Sequence, residues 1–466
     1  ITASHNPAHD NGYKVYWRDG SQIVLEHDEG IIREVNTTPL SAVEPLSKKD
    51  LSRVQILPAE VDEAYLVALK STLVDADVLK KHPPQMVYSS VHGTGRVMIP
   101  RALEKYGAGV TLVEEQTEFD GRFPTVKSPN PQNEEALMLA MKKAESVKMN
   151  VVLATDPDCD RMGAAVRKAD GKWLVLSGNT IGSLIAEDRL CAMKERGMLP
   201  ATGHPNAVLI KTFVTTPLQD AIAAAHGVQC VNCITGFKWI GARLDMYEKN
   251  LATALKKNGQ TLDYDAMSDD ERRKAMLEHS KWYAFGGEES YGYLGNDRVR
   301  DKDGNAAVLM FAELLARLEA KGKTLVDALD DMYLRYGYFA ESPLTISFDG
   351  AQGAIKLRQL TGSYAQTPPK QIGDFVVRSV RDFSRETITD ADGQIVPKAS
   401  MIFCELDDGT SFAIRPSGTE PSVKFYCFTR EGVREPADLQ PAIKRASDKL
   451  EALKAALKAD AGKRVG

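Results

Sequence analysis

A chain of 466 residues is too long for a single hydrophobic core, and at about 150 residues per domain it predicts three or four domains. Its 59 Lys and Arg nearly balance its 64 Asp and Glu, for a net charge of −5. This surplus is too small for an acidic tail or a polyanion-binding face and disfavours nucleic acid as a partner. No apolar run approaches the roughly 18 residues that a membrane span requires, so we expect no membrane partner.

The chain opens on a polar motif, Thr2-Ala3-Ser4-His5-Asn6-Pro7. A catalytic loop normally grows from the end of a strand, so we expect an N-terminal segment to be missing from the sequence. Next, Asn11-Gly12 predicts a hairpin turn and Tyr13-Lys14-Val15-Tyr16 a strand. A polar helical stretch then runs to about residue 80, and His82-Pro83-Pro84 indicates a boundary.

Strands and helices alternate in the following segment. The patterns predict, in order, a strand at 86–88, a helix at 97–106, a strand at 109–113, a helix at 133–148, a strand at 151–154 and a helix near 180–196. This order is typical of βαβ units around a parallel sheet. Asp156 then falls just past the C-terminal end of a strand, where open α/β sheets bind ligands.

A second α/β unit follows, and the last stretch differs from it. The patterns predict strands at 207–213, 229–234 and 283–285, and helices at 217–226, 238–250, 303–321 and 324–336. Ser268-Asp269-Asp270-Glu271 predicts a capped helix within a polar insertion at about 251–280. From about residue 342, strands precede a C-terminal helix with an apolar stripe at Ile443, Ala446, Leu450, Leu453 and Leu457. This stripe predicts that the helix covers an antiparallel sheet.

The six cysteines are scattered along the chain. Cys230 and Cys233 form a CxxC pair, but no second pair or nearby His completes a zinc site. We therefore predict that Cys230-Val231-Asn232-Cys233 belongs to a buried strand and does not serve redox chemistry or metal binding. Reduced thiols in a cytoplasmic protein fit this pattern best.

An aspartate loop carries the most specific chemical signal. Asp156, Asp158 and Asp160 alternate with Pro157 and Cys159, so in an extended loop the three carboxylates would lie on one face. Hard oxygen ligands suit Mg²⁺, and Arg161 is placed to offset the remaining negative charge. An acidic surface turn is the alternative. An EF-hand is excluded because Gly at the sixth position and the terminal Glu are missing.

Ser4 needs an activating partner, because a free serine hydroxyl is a poor nucleophile. The adjacent His5 suggests a hydrolase pair, but neighbouring residues of an extended loop point in opposite directions, and no G-x-S-x-G elbow is present. A phosphate carrier activated by the metal is the more economical interpretation of Ser4. A purely structural turn is the alternative.

Two further loops offer groups for a phosphorylated sugar. Arg415-Pro416-Ser417-Gly418-Thr419 has a guanidinium, two hydroxyls and a Gly whose backbone can approach an anion, and Lys424 lies on the following strand. Glu288 and Ser290, in Gly287-Glu288-Glu289-Ser290, could bond vicinal sugar hydroxyls. A hairpin turn and a plain surface loop are the respective alternatives.

Three residues between these loops are weaker candidates. Lys211 follows a buried strand and Lys238 follows Thr235-Gly236-Phe237, so both could contact phosphate or hydroxyl groups, with a solvated lysine as the alternative. For His92 we favour a capping or packing role. The adjacent Gly93-Thr94-Gly95 is too short for a dinucleotide fingerprint.

Together these four loops, in this order, resemble the α-D-phosphohexomutase superfamily, the phosphoglucomutases and phosphomannomutases, over essentially the whole chain. The resemblance implies three related α/β domains and a smaller C-terminal α+β domain, an antiparallel sheet with helices. The corresponding ranges are 1–83 with the phosphoserine loop, 84–203 with the metal-binding loop, 204–341 with the sugar-binding loop and 342–466 with the phosphate-binding loop. The first of these domains would be incomplete in this sequence.

The resemblance also implies residue roles. Ser4 would carry the phosphoryl group, and the three aspartates would hold one Mg²⁺ together with that phosphate. Lys14 and Arg161 would stabilise charge, with Lys14 also as a general acid or base. The expected site residues are, for catalysis, Ser4, His5, Lys14 and Arg161; for the metal, Ser4, Asp156, Asp158 and Asp160; and for the substrate, Lys211, Thr235, Gly236, Lys238, Glu288, Ser290, Arg415, Ser417, Gly418, Thr419 and Lys424.

The implied reaction interconverts hexose 1-phosphate and hexose 6-phosphate through phosphoserine and a hexose 1,6-bisphosphate intermediate. Glu288-Glu289-Ser290-Tyr291-Gly292 resembles phosphoglucomutases most, so glucose is favoured. Phosphomannomutase, phosphopentomutase and glucose-1,6-bisphosphate synthase activities are alternatives. A metal-dependent phosphatase and a non-catalytic phosphosugar-binding protein are alternatives from other classes. We expect a cytoplasmic monomer or homodimer with a small phosphosugar as its partner.

Overall fold

The computed structural model describes residues 1–44, 47–348, 352–417 and 422–465. Its contacts divide the chain into two compact units. The first comprises Ile1–Val208 and Gly236–Gly322, and the second comprises Leu209–Thr235 and Lys323–Gly466. Within the described residues no helix is both long and apolar enough to cross a membrane.

The N-terminal region of the first unit is mainly loop and short helices. The helices are α1 (His27–Thr37), α2 (Lys48–Leu51), α3 (Ala59–Ala68) and α4 (Ala76–Lys81), which confirms the predicted helical stretch. Among the described residues of this stretch the longest helix is α1, with 11 residues.

The hairpin predicted at residues 11–16 is wrong in its position. The side chain of Asn11 accepts a hydrogen bond from Gly12 N, and Gly12 O accepts one from Thr2 N, so the Asn-Gly pair closes the serine loop. The chain reverses later instead, where Gly20 N donates to Trp17 O. Tyr16 forms a bridge with Gln22, and on either side of it Trp17 N donates to Ser21 O and Ile23 N donates to Val15 O.

A five-stranded sheet forms the middle of the first unit. Its segment contains, in order, β1 (Val87–Ser89), α5 (Gly95–Tyr106), β2 (Thr111–Leu112), α6 (Glu134–Val147), β3 (Val151–Thr155), β4 (Met162–Arg167), β5 (Trp173–Leu176) and α7 (Gly178–Glu195). The strand order is β2-β1-β3-β4-β5. The predicted parallel pairing holds for β2, β1 and β3.

The sheet is mixed, however, because β4 and β5 are antiparallel additions that the patterns missed. Strand β4 begins directly after the aspartate loop, so that loop connects two adjacent antiparallel strands. Its small residues, Gly163, Ala164 and Ala165, give little of the β-branched signal from which strands are recognised. The aspartate loop is therefore the connection between the two strands of a β-hairpin within the sheet.

The next segment begins in the first unit and enters the second at Leu209; it is in the first unit again from Gly236 to Gly322, and its last helix, α12, belongs to the second. Its elements are β6 (Ala207–Thr212), α8 (Leu218–His226), β7 (Gln229–Cys233), α9 (Lys238–Lys257), α10 (Asp269–His279), β8 (Trp282–Gly287), β9 (Tyr293–Leu294), α11 (Gly304–Ala320) and α12 (Leu325–Tyr336). The predicted capping box is present at α10, between Ser268 and Glu271. Cys230 and Cys233 lie on β7, and neither forms a disulfide within the described residues.

An antiparallel sheet and two helices form the rest of the second unit. The elements are β10 (Tyr338–Ser347), α13 (Gly353–Gln366), β11 (Gln371–Ile372), β12 (Phe375–Asp382), β13 (Ile402–Leu406), β14 (Ser411–Pro416), β15 (Ser422–Glu431) and α14 (Pro436–Val465). The strand order is β10-β15-β14-β13-β12-β11.

The apolar stripe of α14 covers this sheet, as predicted. Leu450, Leu453 and Leu457 pack in one cluster with sheet residues such as Phe412 and Phe425. Ile443, at the start of the stripe, packs instead in a small cluster with Val433 and Leu439.

A buried carboxyl ties α11 to the segment that precedes α4. Glu313 is 2% exposed and accepts hydrogen bonds from Val74 N at 3.0 Å and Asp75 N at 2.5 Å. Burial raises the pKa of Glu313 to about 7, and Arg189 and the two backbone donors oppose this shift only in part. The folded state therefore favours the protonated carboxyl.

We expect Glu313→Gln to remove a pH dependence from the stability of the first unit. The folded pKa lies above the ordinary value of 4.5, so the stability contributed by the protonated form is fully present below that value and is lost as pH rises through 7. The difference in unfolding free energy between the wild type and E313Q should change by up to about 3 kcal/mol between pH 4.5 and 8. Denaturant titrations at both pH values measure it. Glu319→Gln, at an exposed position on the same helix, is the control, and a pH-independent difference for E313Q would contradict the expectation.

Candidate active site

The aspartate loop brings its three carboxylates together by a turn. One oxygen of each of Asp156, Asp158 and Asp160 lies within 4.8 Å of the other two, as predicted. The loop is not extended, because Cys159 N donates to Asp156 O at 2.9 Å and Cys159 has a φ of 56°. The turn explains the tight cluster, since alternate residues of an extended strand stand about 7 Å apart.

The Ser4 hydroxyl contacts two of these carboxylates. Its Oγ donates to Asp156 Oδ2 at 3.0 Å and lies 3.2 Å from Asp158 Oδ1. Ser4 has a φ of 57°, which bends the chain and brings His5 Nδ1 to 3.3 Å from the same Oγ. The expectation that Ser4 and His5 point in opposite directions is therefore wrong, because it assumed an extended loop.

His5 is a neutral group in this environment. Burial, and then the nearby Arg161, lower the pKa of His5 to about 4. A neutral imidazole at pH 7 can share a hydrogen bond with the serine hydroxyl, whereas it contributes no positive charge to the cluster.

Three cations surround the three carboxylates. Lys14 Nζ lies 2.8 Å from Asp158 Oδ2 and 2.6 Å from Asp160 Oδ2, and Arg161 Nε lies 3.7 Å from Asp160 Oδ1. Burial opposes the charge on Lys14, but Asp160 and Asp158 raise the pKa of Lys14 above its ordinary value. Lys14 is therefore a cation here.

The third cation, Lys302, was missed by the sequence analysis. Its Nζ lies 2.7 Å from Asp160 Oδ2, and its stem packs where a side chain on Gly292 would stand. Burial favours the neutral acid, but Lys302 and Lys14 lower the pKa of Asp160 to about 2. The flanking Asp301 and Asp303 gave no signal for this contact, because the partner, Asp160, lies far away in the sequence.

The donor set fits a hard divalent cation such as Mg²⁺. Asp160 Oδ1 is buried and has no hydrogen-bond partner among the described residues. Lys14 and Lys302 contact the Oδ2 atoms of Asp158 and Asp160. The Oδ1 atoms of these two carboxylates make no hydrogen bond with the lysines. Burial, together with Asp160 and Asp158, raises the pKa of Asp156 well above its usual range. A cation that prefers oxygen ligands would stabilise a buried carboxylate cluster of this kind.

Neighbouring segments pack directly on the turn of the aspartate loop. Thr94 N donates to Pro157 O at 2.8 Å and Gly304 N donates to Cys159 O at 2.9 Å. Side chains at Gly93 or Gly304 would collide with the loop backbone. His92 Nδ1 and Nε2 lie 2.9 Å from Glu118 O and Thr125 Oγ1, which agrees with the packing role we favoured for His92.

The predicted sugar-binding loop contacts the backbone of Gly236 through Glu288. Glu288 is buried, and its carboxylate accepts a hydrogen bond from Gly236 N at 2.9 Å. Burial and the neighbouring Glu289 raise the pKa of Glu288 to about 7. Ser290 is half-buried, while Lys238 Nζ pairs with Asp28 at 3.0 Å.

The remaining predicted residues belong to the second unit. Lys211 is buried and pairs with Asp220 at 2.9 Å, and Thr235 is half-buried. Arg415 and Lys424 stand opposite each other on β14 and β15. Ser417 N donates to Ser422 O at 2.8 Å. Gly418 and Thr419 lie outside the described residues.

Comparison with family models matches most of the chain. The models for phosphoglucomutase/phosphomannomutase α/β/α domains I, II and III match residues 1–41, 63–171 and 177–336. The chain therefore belongs to the phosphoglucomutase/phosphomannomutase family. The predicted fold class is confirmed by these models together with the C-terminal antiparallel sheet. The four domain ranges given above stay predictions.

Curated relatives and solved structures agree with this family. A phosphopentomutase of Mus musculus is 33% identical over 91% of this chain and 66% of its own length. A phosphoglucomutase of Staphylococcus haemolyticus is 31% identical over 91% of this chain and 72% of its own. The chain thus spans about two thirds of the mouse relative's length. These relatives are mutases, that is, intramolecular phosphotransferases.

Two solved structures share the fold. Parafusin, a phosphoglucomutase of Paramecium, has a TM-score of 0.62 at 16% identity over 100% of this chain and 77% of its own. A phosphoglucomutase/phosphomannomutase family protein of Burkholderia thailandensis has a TM-score of 0.55 at 19% identity over 98% of this chain and 75% of its own.

We expect Gly93→Ala to disturb the aspartate loop. The added Cβ would stand 2.6 Å from Pro157 O, so the loop must move, and such overpacking costs about 1–3 kcal/mol. Mg²⁺ affinity, measured by calorimetry, should fall by about tenfold. Gly109→Ala is the matched control, because a Cβ there meets nothing within 4 Å. Wild-type affinity in a folded G93A protein would contradict the expectation.

Proposed function

We propose that this chain is a Mg²⁺-dependent phosphohexomutase that interconverts hexose 1-phosphate and hexose 6-phosphate. One observation carries the proposal: the Ser4 hydroxyl contacts Asp156 and Asp158 within a cluster of three carboxylates. A serine oxygen held among acidic ligands suits a phosphate that is shared between protein and metal. Family membership supports the reaction type, because the named relatives are mutases.

In the proposed reaction, phosphoserine at Ser4 transfers its phosphoryl group to one hydroxyl of a hexose monophosphate. The acceptor hydroxyl gives up its proton, the Ser4 oxygen takes one up, and the sugar becomes a 1,6-bisphosphate. The bisphosphate then turns over and returns its other phosphoryl group to Ser4, so the bonds formed and broken balance over one cycle. Lys14 and Arg161 lie beside the serine's carboxylate partners, where they can stabilise charge on the transferring group.

Except for His5, the other predicted residues have the following proposed roles. Asp156, Asp158 and Asp160 would hold one Mg²⁺ with the oxygen on Ser4, and the ion would neutralise charge on the phosphoryl oxygens. Glu288 and Ser290, with Gly236 and Lys238, would bind sugar hydroxyls. The second-unit residues expected to bind substrate, above all its non-reacting phosphate, are Lys211, Thr235, Arg415, Ser417, Gly418, Thr419 and Lys424.

Glucose phosphates are the proposed substrates, on the strength of Glu288-Glu289-Ser290-Tyr291-Gly292. A pentose phosphate is the second candidate, because a mouse phosphopentomutase is 33% identical to the chain. Location in the cytoplasm and a monomeric or homodimeric state also stay predictions.

We expect Ser4→Ala to lower conversion of glucose 1-phosphate to glucose 6-phosphate by at least about a thousandfold, as losses of covalent nucleophiles do. A coupled assay follows the isomer, and a second assay of the same samples follows free phosphate. Ser146→Ala, at an exposed position on α6, is the control. Release of free phosphate in place of the isomer would show a phosphatase, and binding without turnover in the wild type would show a phosphosugar-binding protein.

We expect the ratio kcat/KM to be highest for glucose 1-phosphate in a panel with mannose and ribose 1-phosphates. An enzyme discriminates between substrates by the ratio of their kcat/KM values, so initial rates must be measured well below KM for each sugar. A higher ratio for ribose 1-phosphate would replace glucose by pentose as the substrate.

A further inference from the structure

A polar cleft of about 270 Å³ lies within the second unit. One side is formed by the end of β6 and by α8, with Lys211 and Asp220. The other side is formed by β12, β13 and the β13–β14 hairpin, with Arg378, Arg381 and Glu405. None of these residues except Lys211 has a part in the proposed reaction.

Lys211 presents a buried ammonium to the cleft. Its side chain is only 3% exposed. Its Nζ contacts Asp220 Oδ2 at 2.9 Å and Thr215 O at 3.3 Å. A lysine ammonium has three N–H donors, and these two are its partners among the described residues. The third donor can therefore serve a group in the cleft.

Arg378 and Arg381 share one carboxylate on the opposite side. Glu405 lies 3.2 Å from Arg378 and 3.7 Å from Arg381, and it also accepts a hydrogen bond from Ser379 at 2.8 Å. Two planar guanidiniums with one acid between them have N–H donors to spare, and their geometry suits phosphate oxygens.

The ionisable side chains lining the cleft carry a net positive charge. Lys211, Arg378 and Arg381 contribute three positive charges, and Asp220 and Glu405 contribute two negative ones, which leaves one positive charge. An anionic ligand is therefore favoured over a neutral or cationic one.

Other lining groups suit the rest of a small polar ligand. The Asn232 amide donates to Asp220 at 3.2 Å, while its other end is buried without a partner among the described residues. Phe213 and Phe403 provide apolar walls. An amide beside a carboxylate can bond hydroxyl groups, and aromatic faces can cover the C–H surface of a sugar-like carbon chain.

We propose that this cleft binds a small phosphorylated polyol, with the phosphate at Arg378, Arg381 and Lys211 and the hydroxyls toward Asn232 and Asp220. The site is separate from the phosphate-binding loop predicted at residues 415–419. Ser411 lines the cleft and stands four residues before Arg415 on β14, a distance of about 13 Å along a strand. The proposal assigns Lys211 to this cleft in place of the mutase substrate, and it does not otherwise depend on the mutase reaction.

Hydrogen exchange on the full chain tests this site. Glucose 6-phosphate should protect peptides that cover the hairpin at 406–411 in the wild type. In the double variant Arg378→Ala, Arg381→Ala, the concentration needed for that protection should rise by about tenfold or more, because two charged hydrogen-bond donors are lost. Arg358→Ala, at an exposed position on α13, removes the same charge elsewhere and should leave the protection unchanged.

Four outcomes decide the question. Protection that is lost in the double variant and kept in Arg415→Ala supports the proposal. Absence of protection in the wild type, or its persistence in the double variant, overturns it. Equal protection by inorganic phosphate and glucose 6-phosphate would reduce the site to a simple anion site and overturn the polyol part. Mutase activity, assayed separately, can fail or succeed without changing these readings.

Discussion

The arrangement of the candidate active site depends on a balance between three acidic side chains and three cationic side chains in the first unit. Oxygens of three carboxyl groups lie within 4.8 Å of one another, and two like unit charges about 4 Å apart repel by about 4 kcal/mol at an effective dielectric constant of 20. Lys14, Lys302 and Arg161 offset that repulsion. The lysines occupy one oxygen each of Asp158 and Asp160 and so orient the other.

The residue types of the site could be predicted from the sequence, but the backbone that unites them could not. Alternating aspartates indicated a cation site, and the cluster forms. The cluster forms through a turn of the backbone, in which Cys159 has a positive φ, and Ser4 has a positive φ as well. Non-glycine residues seldom adopt that conformation, so nothing in the local sequence signals it. The contact between Ser4 and Asp156 spans the sequence and stabilises a loop shape that neither segment prefers alone.

Elements set by long-range pairing were also harder to predict than those set by local pattern. Helices with caps and apolar stripes, such as α10 and α14, were predicted correctly because their signals lie within a few turns. Strand β4 was missed, since its Gly and Ala residues gain their strand conformation from β3 beside it. Lys302 was missed as a site residue for the same reason, because its partner Asp160 is remote in sequence.

Helix α11 links the site to a distant part of its own unit. Its first residue, Gly304, bonds the backbone of Cys159, and Glu313, nine residues later, holds the backbone of Val74 and Asp75. At 1.5 Å per residue these two anchor points stand about 13 Å apart on one stiff rod. The position of the aspartate loop is therefore tied through α11 to the position of the backbone just before α4.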